Sequence, residues 1–232
     1  MMKTIGIIGG MGPLATVDLY SRIVKRTKAQ RDQEHIHVII DSNTNIPDRT
    51  KAILGGGDDP TIELVKSAQR LEQAGADFLI MPCNTAHFFI DKIKESVNIP
   101  FINMVEETVK HTFNKYGKDT VVGLMATDGT IKSKIYEDYY NDMGIKTVIP
   151  EKTQEKIMKF IYDIIKSGNY EEGTDLFFEC ANELKDMGAQ AFLLGCTELS
   201  SAQYLYKIEG PYINPMEVIT ESSIIYAGGK LN

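Results

Sequence analysis

AQRLEQAGADFLIMPCNT (residues 68–85) and ANELKDMGAQAFLLGCTE (residues 181–198) align without a gap. Ala68 meets Ala181, Leu71 meets Leu184, Gly75-Ala76 meets Gly188-Ala189, and Cys83 meets Cys196, an offset of 113 residues. In each copy a helical pattern stops at Gly-Ala, an apolar run follows, and a cysteine stands just past it. The glycine suits a helix C-terminus, where a left-handed residue is often required. Two further echoes keep the same order. PFIN (100–103) matches PYIN (211–214), and, more weakly, IGIIGGMGP (5–13) matches VGLMATDGT (122–130). Three matches in one order are better explained by two halves of similar build than by chance.

Outside the repeat, strand-like and helix-like segments alternate. Ile5 to Ile8, His37 to Ile40, Phe78 to Met81, Val121 to Met125, Lys146 to Ile149 and Phe192 to Leu194 are short, apolar and partly β-branched. Helical patterns run over Ala15 to Ala29, Thr61 to Ala74, Ile131 to Asp142, Glu151 to Ser167 and Asp175 to Met187. Such alternation implies βαβ units and parallel sheets. The expected fold is therefore α/β, with two similar halves related by a pseudo-two-fold and an active site in the cleft between them. The halves are placed at 1–105 with 211–232, and at 106–210, a last helix at about 216–227 returning to the first. A single sheet of six or seven strands is the alternative.

Composition bounds the function. The 232 residues are 43% hydrophobic, enough for a real core, and carry a net charge of −7 with no basic tract, which argues against nucleic acid. No apolar run approaches the roughly 18 residues of a membrane span. The N-terminus lacks an apolar leader pattern. Three cysteines at wide spacing read as reduced thiols, so a cytoplasmic location is expected.

The stretch IIGGMGPLA (7–15) fits a dinucleotide-binding loop, with Gly10-x-Gly12-x-x-Ala15 after a strand and Asp41 closing the next strand-like run. A lone match of this kind is weak. N–H groups at a helix start bind or border a carboxylate as readily as a pyrophosphate.

Ligands in open α/β sheets bind outside the carboxyl ends of the strands. Cys83 and Cys196 stand there, each followed by polar residues that suit a helix start. A helix N-terminus is expected to favour the thiolate. A lone cysteine at a strand end is more often packing, and Cys180, on the apolar face of DLFFECANEL, is read that way. The repeat sets Cys83 and Cys196 apart. Neither has a second ligand at zinc-site spacing. Two facing thiols suit removal of a proton from one face of a carbon and its return to the other.

MPCNTAH (81–87), GCTEL (195–199) and GGMGP (9–13) together resemble the aspartate/glutamate racemase family, closest to aspartate racemases, along nearly the whole chain. The resemblance implies a homodimeric racemase of two α/β domains that uses two cysteines and neither pyridoxal nor metal. It implies that Cys83 and Cys196 are the acid/base groups. Asn84, Thr85, Thr127 and Thr197 fall where the family holds the α-carboxylate, and Met11 and Gly12 line the same pocket. Arg49, in NIPDRT, and Lys166 fall where aspartate racemases hold the side-chain carboxylate; without the resemblance both read as surface charges. Asp128 departs from the expected pattern, because a neutral residue such as threonine is expected there. An inward carboxylate would repel a dicarboxylate substrate, so Asp128 is expected to point away.

His87, one turn past Cys83, could tune it or orient Asn84, although a structural histidine is the simpler reading. Glu198 could orient Cys196 or serve the helix start. His35, His37 and His111 carry no readable signal. GGGDDP (55–60) reads as a flexible loop near Arg49 and part of a lid. Two rival functions stay open: another cofactor-free isomerase or decarboxylase of the same superfamily, and a non-catalytic amino-acid-binding module.

Overall fold

The computed structural model describes residues 2–170 and 172–232. They divide into two compact units, Met1–Glu107 with Met216–Asn232, and Thr108–Pro215.

The first unit is built on a three-stranded parallel sheet, in the order β2-β1-β3, from β1 (Ile5–Gly9), β2 (Val38–Ser42) and β3 (Phe78–Ile80). β1, the central strand, is buried at every residue, as expected of a parallel strand covered on both faces, and the edge strand β3 is buried as well. Helices α1 (Pro13–Arg26) and α3 (Thr61–Gln73) join the strands; short α2 (Arg49–Ile53) precedes α3, and short α4 (Ile90–Glu95) follows β3. One core layer packs Ile5, Ile7, Leu19, Phe78 and Met104 with Met216, Ile219 and Ile224 of the last helix, α11 (Pro215–Tyr226). The other holds Ile8, Met11, Leu64, Leu71, Met81 and Cys83.

The second unit carries a four-stranded parallel sheet, in the order β5-β4-β6-β7. Its strands are β4 (Val121–Ala126), β5 (Lys146–Val148), β6 (Ala191–Gly195) and β7 (Tyr212–Ile213). The intervening helices are α6 (Asp128–Ser133), α7 (Ile135–Asp142), α8 (Gln154–Lys159), α9 (Thr174–Asp186) and α10 (Thr197–Leu205). Helix α5 (Met104–Tyr116) carries the chain from one unit into the other.

The sequence repeat is a repeat of hydrogen bonds. After α3, the Ala76 N–H donates to Leu71 O at 3.0 Å and the Gly75 N–H to Glu72 O; after α9, Ala189 donates to Leu184 O at 3.0 Å and Gly188 to Lys185 O. Gly75 and Gly188 have φ of 94° and 95°, the left-handed residue of this helix end, with open space around each Cβ position. The second echo is also structural. Leu79 N–H donates to Pro100 O and Phe192 N–H to Pro211 O, so PYIN forms β7 while PFIN contributes one parallel bridge, Leu79 to Phe101.

Two expected helices are interrupted. Ile131 to Asp142 breaks at Lys134, which takes φ 55° between α6 and α7. Glu151 to Ser167 begins only at Gln154 and changes register after Lys159 into a π-helix, Phe160–Lys166. The Glu183 carboxylate accepts from the N–H groups of Glu151, Lys152 and Thr153 and holds them out of the helix. Burial alone would raise the Glu183 pKa; the Thr153 hydroxyl and these three N–H groups bring it below the usual carboxylate range.

Candidate active site

In the first unit the site residues gather at the carboxyl ends of β1 and β3. The chain leaves β1 through Gly10-Met11-Gly12, and Pro13 opens α1. Gly10 has φ 91°, and a Cβ there would sit 2.4 Å from the Asn43 backbone, so only glycine lets the two segments meet. Its N–H donates to Thr16 Oγ1 at 2.9 Å, and that hydroxyl donates to Gly12 O at 3.1 Å. Arg49 closes the loop from below. Its guanidinium donates to Met11 O (3.2 Å), Pro47 O (2.8 Å) and Ile46 O (3.3 Å). Met11 is buried in the same apolar cluster as Cys83. The dinucleotide reading loses its acid, because Asp41 is held by the Ser67 hydroxyl and by Arg70 at 3.1 Å.

Cys83 follows β3 and is buried, as are Asn84 and Thr85 beside it. A 3-10 turn, Thr85–Phe89, starts immediately, with Asn84 as its cap residue. The Cys83 backbone is held at both ends. Its N–H donates to Met81 O at 2.9 Å, and its carbonyl lies 2.8 Å from His87 Nδ1. The Met104 N–H points at His87 Nε2 at 3.2 Å. Nε2 is thus the acceptor, and Nδ1 carries the proton. Burial is the main cause that pushes the His87 pKa down to about 4, so the ring is neutral at pH 7.

In the second unit the equivalent strand ends carry Thr127 and Cys196. Thr127 caps α6, its Oγ1 accepting from the Thr130 N–H at 3.3 Å. Asp128 is turned to Gln154, whose Nε2 donates to Asp128 Oδ1 at 2.7 Å and to Ala126 O at 3.1 Å. A cavity of about 440 Å³ opens here, lined by Asp128, Gln154, Met158, Lys159 and Tyr162 among others.

Cys196 is the cap residue of α10 and is buried. Its thiol donates to Glu198 Oε2 at 2.8 Å, and the Thr197 hydroxyl donates to the same oxygen at 3.2 Å. Lys166 Nζ lies 3.8 Å from Glu198 Oε1 and 4.1 Å from the centre of the Tyr162 ring. Burial pushes the Cys196 thiol well above its ordinary range and the Glu198 carboxylate adds to this; Lys166 and the Glu198 backbone N–H, a group of the helix start, oppose the rise and are outweighed. The expected dipole effect is overruled at this cysteine by desolvation and by a nearer charge. Cys180 is a packing residue in the core, its thiol raised to about 12 chiefly by burial.

Tyr136 escaped the sequence reading. It is buried on α7, stacks against Tyr140 at 6.1 Å, bonds to Thr108 and lies near Cys196. Its one signal is the helical i, i+4 spacing in YEDYY, which marks a buried face without naming what it faces. Of the loop expected to be part of a lid, 55–60, Gly55 to Asp59 are exposed and Pro60 is buried, and Asp59 Oδ1 accepts the Thr61 N–H at 2.8 Å where α3 starts.

The model of the family described as Asp/Glu/Hydantoin racemase matches residues 8–222. The chain belongs to that family. Among racemases of known structure, it is 31% identical to the aspartate racemase of Picrophilus torridus, with a TM-score of 0.86 over 99% of this chain and 96% of that one. It is 27% identical to the broad specificity amino-acid racemase RacX of Bacillus subtilis (strain 168), over 95% of this chain and 96% of the relative. An aspartate racemase homologue from Pyrococcus horikoshii OT3, 22% identical, shares the fold with a TM-score of 0.76 over 98% of this chain and all of that one. The chain is therefore a racemase-type isomerase. Its two parallel sheets are those of a two-domain racemase fold.

Proposed function

We propose that this racemase interconverts L- and D-aspartate by proton transfer at Cα between Cys83 and Cys196, without pyridoxal or metal. The observation that carries the reading is the Cys196 thiol hydrogen-bonded to Glu198, at the repeat position that Cys83 occupies in the other unit. A thiol held in its protonated form is the donor such a reaction needs. One thiolate takes the α-hydrogen as its S–H bond forms. The other thiol gives its proton to the opposite face of the carbanion and is left as thiolate, and the roles exchange for the mirror-image substrate. The reading requires both thiols to reach one Cα from opposite sides.

Two cations support an acidic substrate in a chain of net charge −7. Arg49 is fixed by backbone carbonyls, and Lys166 stands beside Glu198, a carboxylate that a substrate carboxylate can replace. Asn84, Thr85, Thr127 and Thr197, all buried at strand ends, supply N–H and hydroxyl groups for the α-carboxylate, with Met11 and Gly12 lining the pocket. Among the described residues, no group of three His, Cys, Asp or Glu side chains is placed to hold a metal. The likeness to a broad specificity racemase favours a second reading, in which neutral amino acids also turn over.

A homodimer belongs to the same proposal. Leu14, Val17, Tyr20 and Val24 line one exposed face of α1, an apolar stripe suited to a second copy. The reading also places the three free thiols in a reducing cytoplasm. No helix among the described residues is long and apolar enough to cross a membrane.

The test is proton NMR of L- and D-aspartate in deuterated water with the purified protein, repeated with glutamate, asparagine and alanine. Loss of the α-proton signal from both aspartate enantiomers, faster than from the neutral amino acids, is expected. Equal rates for alanine support the broad reading, and no exchange with any amino acid overturns both.

A further inference from the structure

The two copies of the repeat satisfy the cysteine carbonyl in different ways. In the second unit the Cys196 carbonyl accepts the backbone N–H groups of Leu199 (3.0 Å) and Ser200 (3.3 Å), as at any α-helix start. In the first unit the chain enters a 3-10 turn instead, and the His87 N–H goes to Asn84 O at 3.0 Å. The Cys83 carbonyl is reached by a side chain, His87 Nδ1 at 2.8 Å. His87 stands where Ser200 stands in the second copy, at the same offset of 113 residues. The imidazole thus does by its ring what the backbone of Leu199 and Ser200 does in the other unit.

The ring also has a second attachment. Its Nε2 accepts the Met104 N–H, the first of helix α5, at 3.2 Å. Phe101 packs its ring edge-on at 6.0 Å, and the side chain is buried. The orientation is therefore set by two contacts from outside the cysteine turn, the Met104 N–H and the Phe101 ring.

We propose that His87 is a positioning residue for Cys83: its imidazole, protonated on Nδ1, fastens the Cys83 carbonyl to the start of α5 and fixes the backbone that aims the thiol. The proposal rests on the reading of Cys83 as an acid/base group. An error of about 1 Å in the placement of a reacting atom costs on the order of 100-fold in rate. A group that only positions should therefore appear in kcat and leave substrate binding alone.

The experiment compares His87→Gln and His87→Asn. Glutamine places its amide near the Nε2 position and keeps the Met104 contact but loses the bond to Cys83. Asparagine places its amide near Nδ1 and keeps a donor for the Cys83 carbonyl. For folded H87Q, kcat with aspartate should fall about 10- to 100-fold while KM stays within about twofold, and H87N should recover most of the loss. Peptide mapping after timed iodoacetamide treatment supplies a readout independent of turnover. Labelling of Cys83 should change severalfold in H87Q, while that of Cys196 is unaltered. Wild-type kcat in both variants, or equal labelling changes at the two cysteines, overturns the proposal. Where the variants do not fold, nitrogen NMR of the wild-type imidazole decides, because a proton on Nε2 at pH 7 refutes the geometry. Cys83→Ser separates the two readings: if it racemises normally, the acid/base role of Cys83 fails; if it is dead while the His87 variants are normal, only the present inference fails.

Discussion

Acid should weaken this protein through one histidine before its carboxylates titrate. His87 is buried, and burial brings its pKa from 6.5 in the unfolded chain to about 4 in the folded one, against the upward pull of the Cys83 carbonyl and with a small further push from Lys94. Between those values the unfolded chain binds more protons, so stability is fully present above pH 6.5 and declines as the pH falls towards 4. At pH 5 the two pKa values give a loss of about 2 kcal/mol relative to neutral pH, rising to about 3 kcal/mol at pH 4. Urea unfolding at pH 7.5, 6.0 and 5.0, followed by far-UV circular dichroism, measures it. His87→Asn should start less stable at neutral pH, having lost the bond to Met104, yet show a flatter decline across the same range. A decline of equal slope in wild type and H87N refutes the attribution, since other groups would then carry the acid sensitivity.

Other perturbations separate chemistry from architecture. Cys83→Ser and Cys196→Ser should each reduce racemisation by orders of magnitude in a deuterium-exchange assay, because a hydroxyl is too weak an acid for the task, whereas Cys180→Ala should keep activity at some cost in thermal stability. Arg49→Ala and Lys166→Ala should each lower kcat/KM for aspartate about ten- to a hundredfold, the value of a charged hydrogen bond of roughly 1.5 to 3 kcal/mol, and narrow the preference over alanine. Gly10→Ala should cost stability and activity together, visible as a lowered Tm, because its Cβ would lie 2.4 Å from the Asn43 backbone at a φ of 91°.

What the sequence disclosed follows from the range of the interactions involved. The buried strands are continuous apolar runs, and the Gly-Ala helix ends are local backbone requirements, so both are written in contiguous residues. The correspondence of β1 with β4, and of Cys83 with Cys196, as equivalent positions of a repeat is legible because the same local pattern occurs twice. The break at Lys134 was hidden because a lysine rather than a glycine takes the left-handed conformation. The late start of α8 depends on Glu183, thirty residues or more from the N–H groups it holds. The π-register before Lys166 has no marker in FIYDIIK, yet it is the segment that carries Lys166 to Glu198. The raised Cys196 thiol depended on how deeply the residue would be buried, and the sequence pattern spoke only for the helix start.

The last helix has a consequence for how the chain is made. A ribosome delivers residues in order, at about 5 to 20 per second, and domains fold as units once they are out. The second unit, Thr108–Pro215, is contiguous and has all its residues before Met216 is added. The first unit begins with the earliest residues, but Met216, Ile219 and Ile224 fill its core beside Ile5, Leu19 and Phe78. The half of the molecule whose translation starts first is therefore the half that closes last, and until then its apolar layer awaits α11.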